Sequence, residues 1–306
     1  MEHVKAITYA TLRALPSARD LLQLSKPGIS TMSVIVAAGA MALALFITGK
    51  DVSAVALLAM NAGVALSVAG AGALNQWMEI DLDARMSRTN KRPLPDGRMD
   101  PTLALAFGLV MAGASMPLLY LGSPLAAGLN LIALIMYVLI YTPMKQRSAW
   151  AVVVGAFPGA MPALLGYAAV TGTIDEVGMV LFGIVFLWQL PHFLAITVYR
   201  EKEYRKAGYV VTASVLGQDV TRTLIVATAL PMVAVSLMLV PLDVAGLMYG
   251  AVAALLGVWF MVLCARGFTH DDTAKWARKV FLASLVYQTV LFGALALDVS
   301  VQAMFL

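Results

Sequence analysis

The sequence has a single cysteine, three histidines and little charge, with only 12% of its 306 residues being Asp, Glu, Lys or Arg. The lone Cys264 excludes an internal disulfide, a multi-cysteine metal site and the paired cysteines of a covalently attached c-type heme. Scarce charge, set against 61% hydrophobic residues and a positive mean hydropathy, excludes an ordinary soluble domain. Long Gly/Ser-rich stretches are also lacking, so no flexible linker divides the chain into separate domains. We read residues 1–27 as an amino-terminal segment and 28–306 as one intramembrane domain.

Apolar runs are what the chain has in abundance. Nine are long enough to cross a bilayer, roughly at 28–48, 53–78, 102–121, 124–142, 150–171, 177–198, 223–241, 244–264 and 280–299. The predicted fold is therefore all-α and polytopic, nine transmembrane helices around a central cavity. The position of Lys and Arg supports the count, because 20 of the 21 basic residues fall on one side of the threading and only Lys50 on the other. By the positive-inside rule that side is cytoplasmic, with the amino terminus inside and the carboxyl terminus outside. The basic balance thus reports topology, and nucleic acid is not an expected partner. Before the first run, Tyr9, Leu12 and Leu15 set against Arg13 and Arg19 suggest an interfacial amphipathic helix feeding Lys26-Pro27, the alternative being a mitochondrial transit peptide.

Polar chemistry is concentrated after the second run, in Asn75-Gln76-Trp77-Met78-Glu79-Ile80-Asp81-Leu82-Asp83 and on through Arg88, Lys91 and Arg92 to Pro93-Leu94-Pro95. Asn75, Glu79 and Asp83 stand at i, i+4 and i+8, so a continuous helix would stack them on one face over two turns. Three oxygen-bearing groups at the mouth of a membrane helix suit a hard divalent cation, magnesium shared with a phosphate. The guanidinium and ammonium groups of Arg88, Lys91 and Arg92 suit phosphate oxygens, which together makes a diphosphate site. Arg85, Asp96, Arg98 and Asp100 read as a solvated, charge-balanced loop.

Two further clusters share that side. Tyr141-Thr142-Pro143-Met144-Lys145 ends the fourth run, and Lys145 either reaches a diphosphate or anchors the topology. Beyond the sixth run come Trp188-Gln189-Leu190-Pro191-His192-Phe193 and then Tyr199-Arg200-Glu201-Lys202-Glu203-Tyr204. His192 is either a ligand or a hydrogen-bonded helix contact, and Glu203 either holds a second cation or pairs with Arg200 and Lys206. The two acidic clusters lie four runs apart, which hints at two four-helix halves plus a ninth helix. Gly155, Pro158, Gly159, Pro162 and Gly166 in the fifth run allow close helix approach or a bend.

The string from Asn75 to Asp83 resembles the NxxxDxxxD signature of the UbiA-type intramembrane prenyltransferases. The longer Asn75–Pro95 string, with Trp188-Gln189 and Pro191-His192-Phe193, is similar to the branch that farnesylates protoheme IX. Lys26-Pro27, Tyr141-Thr142 with Lys145, the small residues of the fifth run, and Lys279-Val280-Phe281 with Ser284 extend the likeness over nearly the whole chain. Two departures stand out: Glu79 replaces the usual first Asp, and Glu203-Tyr204 before Gly208 replaces an Asp-Tyr pair. The resemblance implies farnesyl diphosphate and heme B as substrates and Mg as cofactor, in the membrane lipid of a bacterial plasma (inner) membrane or, as the alternative, a mitochondrial inner membrane. It also implies a downstream heme-modifying enzyme of cytochrome oxidase assembly as partner. Carried onto this chain, it assigns Asn75, Glu79 and Asp83 to metal and catalysis, and Glu203 to a further metal position. Arg88, Lys91, Arg92, Tyr141, Lys145, His192, Arg200 and Glu203 are assigned to substrate. A sister prenyltransferase with an aromatic or chlorophyllide acceptor, and a secondary transporter, are the competing readings.

Overall fold

The structure, a computed structural model, describes residues 16–305, all helix and turn without strand. Tyr9, Leu12, Arg13 and Leu15 of the amphipathic reading lie outside the described residues. Just beyond them a short helix, Ala18–Leu24, is capped by Ser17, whose hydroxyl oxygen accepts the Asp20 N–H. Nine helices among the described residues are long and apolar enough to span a bilayer: Pro27–Thr48, Ala54–Met78, Pro101–Gly122, Pro124–Met144, Ala151–Thr171, Glu176–Tyr199, Gln218–Leu237, Leu247–Phe268 and Thr273–Met304.

Local chemistry sets where several of these spans begin. Ser53, Asp100, Ser123 and Asp175 each accept a first-turn N–H through a side-chain oxygen, and Pro101 and Pro124 stand where no donor is needed. Two starts differ from the sequence reading by five residues or more. The seventh span starts at Gln218 rather than 223 because its polar first turn is held, Arg222 pairing with Asp219 and with Thr273. The ninth starts at Thr273 rather than 280 because Trp276, Ala277 and Val280 already bury one stripe beneath the charged Lys275, Arg278 and Lys279.

Small residues let the spans approach. The second span packs most extensively on the third and the first on the fifth, and the sixth gathers the fifth, seventh and ninth around it. A Cβ on Gly70 would stand 2.6 Å from the Ala112 nitrogen, and one on Gly166 would strike the Ala37 carbonyl, so both sites demand glycine. The glycines of the fifth span thus serve close approach: Gly155 faces the Tyr141 ring and Gly159 faces Gln189. Many large apolar side chains remain exposed on the outer faces, among them Val55, Leu58, Leu121, Leu139, Leu255 and Leu297, as lipid contact requires.

Between the first, second, fourth and fifth spans lies a narrow apolar hollow of about 90 Å³. Its upper end is formed by Lys26, Gly72 and Tyr137, and Val64 and Leu165 lie farther along it. From Gly72 to Val64 it follows the second span for roughly 12 Å. The end of the bundle that carries Lys26 also carries the three polar clusters.

Candidate active site

The helix carrying Asn75 does not run on unbroken to Asp83. It stops at Met78, Glu79 takes φ −110° and ψ 19°, and a short helix, Ile80–Ala84, follows. This corrects the expectation of a continuous two-turn face. The break is slight, because Glu79 N–H still donates to the Asn75 carbonyl at 3.1 Å and Asp83 N–H to that of Glu79 at 2.8 Å. Asn75, Glu79 and Asp83 are therefore still delivered to one mouth, at 2%, 3% and 1% exposure.

Burying two carboxylates and an amide demands partners, and basic side chains from three parts of the chain supply them. Lys26 Nζ donates to Asn75 Oδ1 at 2.5 Å. Lys145 Nζ stands 2.5 Å from Glu79 Oε1, a close ion pair whose angles fall short of a hydrogen bond. Arg92 donates to Asp83 Oδ2 at 2.6 Å. Asn75 Nδ2 donates to Glu79 Oε2 at 2.8 Å and to Thr142 Oγ1 at 3.2 Å, which joins the second span to the fourth.

The fourth span reaches this mouth through a π-helical turn, Met136–Tyr141. Pro143 has no N–H to continue an α-ladder, and Thr142 N–H donates back to the Tyr137 carbonyl. That turn packs Tyr141 against Gly155, and the Lys145 ammonium lies 4.9 Å from the Tyr141 ring and 5.7 Å from that of Tyr209. Burial, with the Glu79 and Asp83 charges adding, pushes the Tyr209 phenol well above its ordinary range, so it is a neutral donor. Burial beside Lys145 and Arg92 pushes the Lys26 ammonium down to about 7.

The remaining candidates are placed elsewhere. Arg88 and Lys91 are exposed, and Arg88 contributes its backbone N–H to Glu203 Oε1 at 3.3 Å. Glu203 also accepts from Ser87 Oγ at 2.9 Å and from Arg200 at 3.0 Å, so it ties the first polar loop to the second. Partial burial works against its charge, but these bonds hold its carboxyl below the usual range. His192 is turned to the ninth span, its Nδ1 2.7 Å from Ser284 Oγ and its ring 4.8 Å from Trp188 and 4.7 Å from Phe281. The loop charges read as solvated are partly engaged: Arg98 pairs with Asp20 and Asp96, and Asp100 caps the third span. Lys26 and Thr142 belong to the mouth but were not singled out as site residues from the sequence. Their one signal was the Lys-Pro and Tyr-Thr dipeptides at span ends, which by themselves fix no contact.

The donor set fits a hard cation: one amide and two carboxylate oxygens, all buried and opening to one mouth. Among the described residues no group of three or more His, Cys, Asp or Glu side chains converges, so any such site relies on the Asn75 amide and on a ligand's own oxygens. The arrangement can bind an anionic head among bases and cation ligands while the near part of an apolar tail enters the hollow.

A nine-span bundle with one charged mouth above a hydrocarbon-lined hollow has the build of an intramembrane enzyme for an amphiphilic substrate. The chain belongs to the UbiA prenyltransferase family, whose model matches residues 33–285. It is 48% identical to the protoheme IX farnesyltransferase of Anaeromyxobacter sp. (strain Fw109-5), over 95% of this chain and 98% of that one. It is 45% identical to the protein of the same name from Myxococcus xanthus (strain DK1622), over 94% and 98%. Protoheme IX farnesyltransferase 1 of Bacillus subtilis (strain 168) is 36% identical over 91% and 90%. In fold the chain is similar to digeranylgeranylglyceryl phosphate synthase, with a TM-score of 0.77 at 16% identity over 92% of this chain and 98% of that. A UbiA homolog from Archaeoglobus fulgidus bound to DMAPP and Mg2+ has a TM-score of 0.63 at 14% identity, over 90% and 99%.

Proposed function

We propose that the chain transfers the farnesyl group of farnesyl diphosphate to a vinyl group of protoheme IX, with addition of water, giving heme O and diphosphate. The observation that carries this is the buried Asn75, Glu79 and Asp83 set, linked to an apolar hollow through Lys26, which lines the hollow and donates to Asn75, in a chain 48% identical along nearly its whole length to a protoheme IX farnesyltransferase. Asn75, Glu79 and Asp83 would hold Mg2+, which supplies Lewis-acid charge for the departing diphosphate. Arg92 and Lys145, which pair with Asp83 and Glu79 at the same mouth, would bind the diphosphate oxygens. The exposed Arg88 and Lys91 guide the anionic head to the mouth, and Arg200 with Glu203 and Tyr141 shape its rim. The hollow holds the prenyl chain away from water, which protects the allylic cation until the vinyl carbon attacks it.

His192, in an aromatic cluster with Trp188 and Phe281, would contact the porphyrin. Glu203 serves mainly as a tether in this reading, since its oxygens accept from Ser87, Arg88 and Arg200. The catalytic unit is residues 28–306, with 1–27 as a cytoplasmic amino-terminal segment. The site lies at the cytoplasmic face of a bacterial plasma membrane, and heme O passes to the enzyme that modifies it further. Purified protein should release pyrophosphate from farnesyl diphosphate only when heme B and Mg2+ are both supplied. Release stimulated instead by 4-hydroxybenzoate would assign a different acceptor, and substrate flux into liposomes without pyrophosphate release would assign a transporter.

A further inference from the structure

Among the described residues, Lys26 is the one charged side chain that lines the apolar hollow, and it also touches the acidic mouth. Its Nζ donates to Asn75 Oδ1 at 2.5 Å, while its methylene stem lies over Gly72, where an added Cβ would come within 3.3 Å of Lys26 Cδ. Three structural facts fix that position. The backbone of Lys26 is left-handed, at φ 49° and ψ 62°, in a residue that is neither glycine nor free of a following proline. A side chain disfavours that conformation, and Pro27 disfavours it further, so the surrounding structure must impose it. The Gln76 amide holds the preceding turn by donating to the Leu24 carbonyl at 2.7 Å, and the Ser30 hydroxyl bonds the Ser25 carbonyl at 2.9 Å.

The consequence follows from where a prenyl diphosphate divides. Its phosphates belong among Asp83, Arg92, Glu79 and Lys145, and its hydrocarbon in the hollow, so the ester oxygen between them falls where mouth and hollow meet. Lys26 occupies that junction, and the other bases of the mouth do not line the hollow. Resting on the prenyl-transfer reading above, we propose that Lys26 is a catalytic residue whose ammonium hydrogen-bonds the ester oxygen of the prenyl diphosphate as the C1–O bond breaks. The electron pair of that bond leaves with the diphosphate oxygen, the vinyl carbon of the acceptor supplies a new pair to C1, and Lys26 keeps its proton throughout. The Asn75 amide oxygen holds the ammonium in place at that junction.

The test uses the full-length protein in detergent, with two variants and a substrate mimic that cannot ionise, farnesyl thiolodiphosphate. In Lys26→Met, turnover with heme B should fall by ~100-fold, the scale for loss of one buried donor to a developing oxyanion, while the thiolodiphosphate with Mg2+ still binds within about threefold of wild type. Lys26→Cys should be equally impaired and should regain at least ~10-fold in turnover when alkylated with 2-bromoethylamine, which restores an amine at the same reach. Cys264 is fully buried, so the new thiol is the one that reacts. Turnover of Lys26→Met near wild type would overturn the assignment. So would folded, alkylated Lys26→Cys that stays inactive, or thiolodiphosphate binding that collapses along with turnover, which would make Lys26 an anchor for the phosphates. If Lys26→Met does not fold, the alkylation result alone decides. Failure of the prenyl-transfer reading itself appears separately, as wild-type protein that binds the thiolodiphosphate but turns over no farnesyl diphosphate.

Discussion

At the scale of single residues, the mouth is a set of buried charges that balance one another only pairwise. Lys145 compensates Glu79, Arg92 compensates Asp83, and removing one partner strands the other. Lys145→Met should therefore cost about 3–5 kcal/mol of stability. Adding Glu79→Gln should recover most of that loss without restoring turnover, which thermal unfolding in detergent and a pyrophosphate-release assay would separate. Packing makes an independent prediction at Gly166, where a methyl group would enter the Ala37 backbone. Gly166→Ala should lower stability by about 1–3 kcal/mol, because backbone cannot rotate aside as a side chain can. Much of this chemistry was legible beforehand. Asn75, Glu79 and Asp83 stood out because polar groups at helical spacing in an apolar span need partners. The identity of those partners was not legible: Lys26 lies 49 residues from Asn75 in sequence, and only the packing of the first span on the second joins them.

At the scale of elements, the fourth span and the two polar loops set the geometry. The π turn at Met136–Tyr141 aims Thr142 and Lys145 at the second span, and no apolar periodicity announces it. Pro143 was visible, but a proline near a helix end reads equally well as a stop. The loops were legible as charged and functional, not as joined. Arg88, Lys91 and Arg92 looked equivalent in sequence, yet the turn that follows Asp83, closed by the Thr89 hydroxyl on the Asp83 carbonyl at 2.8 Å, turns Arg92 inward and leaves the other two exposed. Glu203 clasps this loop through Ser87 and the Arg88 N–H. Glu203→Ala should leave the bundle intact and speed tryptic cleavage after Arg88 and Lys91 several-fold, as a released loop opens locally. Unchanged cleavage would show that the clasp does not order the loop.

At the scale of the whole molecule, the nine spans among the described residues bring the polar strings around Asn75, Lys145 and Glu203 to one end of the bundle. The count could be read from hydropathy and basic residues together, since an even number would break the alternation of Lys and Arg. The hollow could not, because a cavity is a property of how four spans meet rather than of any one of them. Orientation makes a direct prediction: Gln146→Cys and Lys202→Cys should react with a membrane-impermeant maleimide only in inverted vesicles, and Lys50→Cys and Thr173→Cys only in right-side-out cells. Buried Cys264 leaves the background silent.

The central claim is that buried oxygens at this mouth hold a prenyl diphosphate whose chain is delivered to heme. Mass analysis of the hemes from a host lacking its own activity, expressing either the wild-type chain or Asp83→Ala, tests it most directly. The account predicts a heme heavier by a farnesyl group and a hydroxyl group with the wild type and unmodified heme B with the variant. Heme B alone with the wild type, or the same heavier heme with Asp83→Ala, would contradict it.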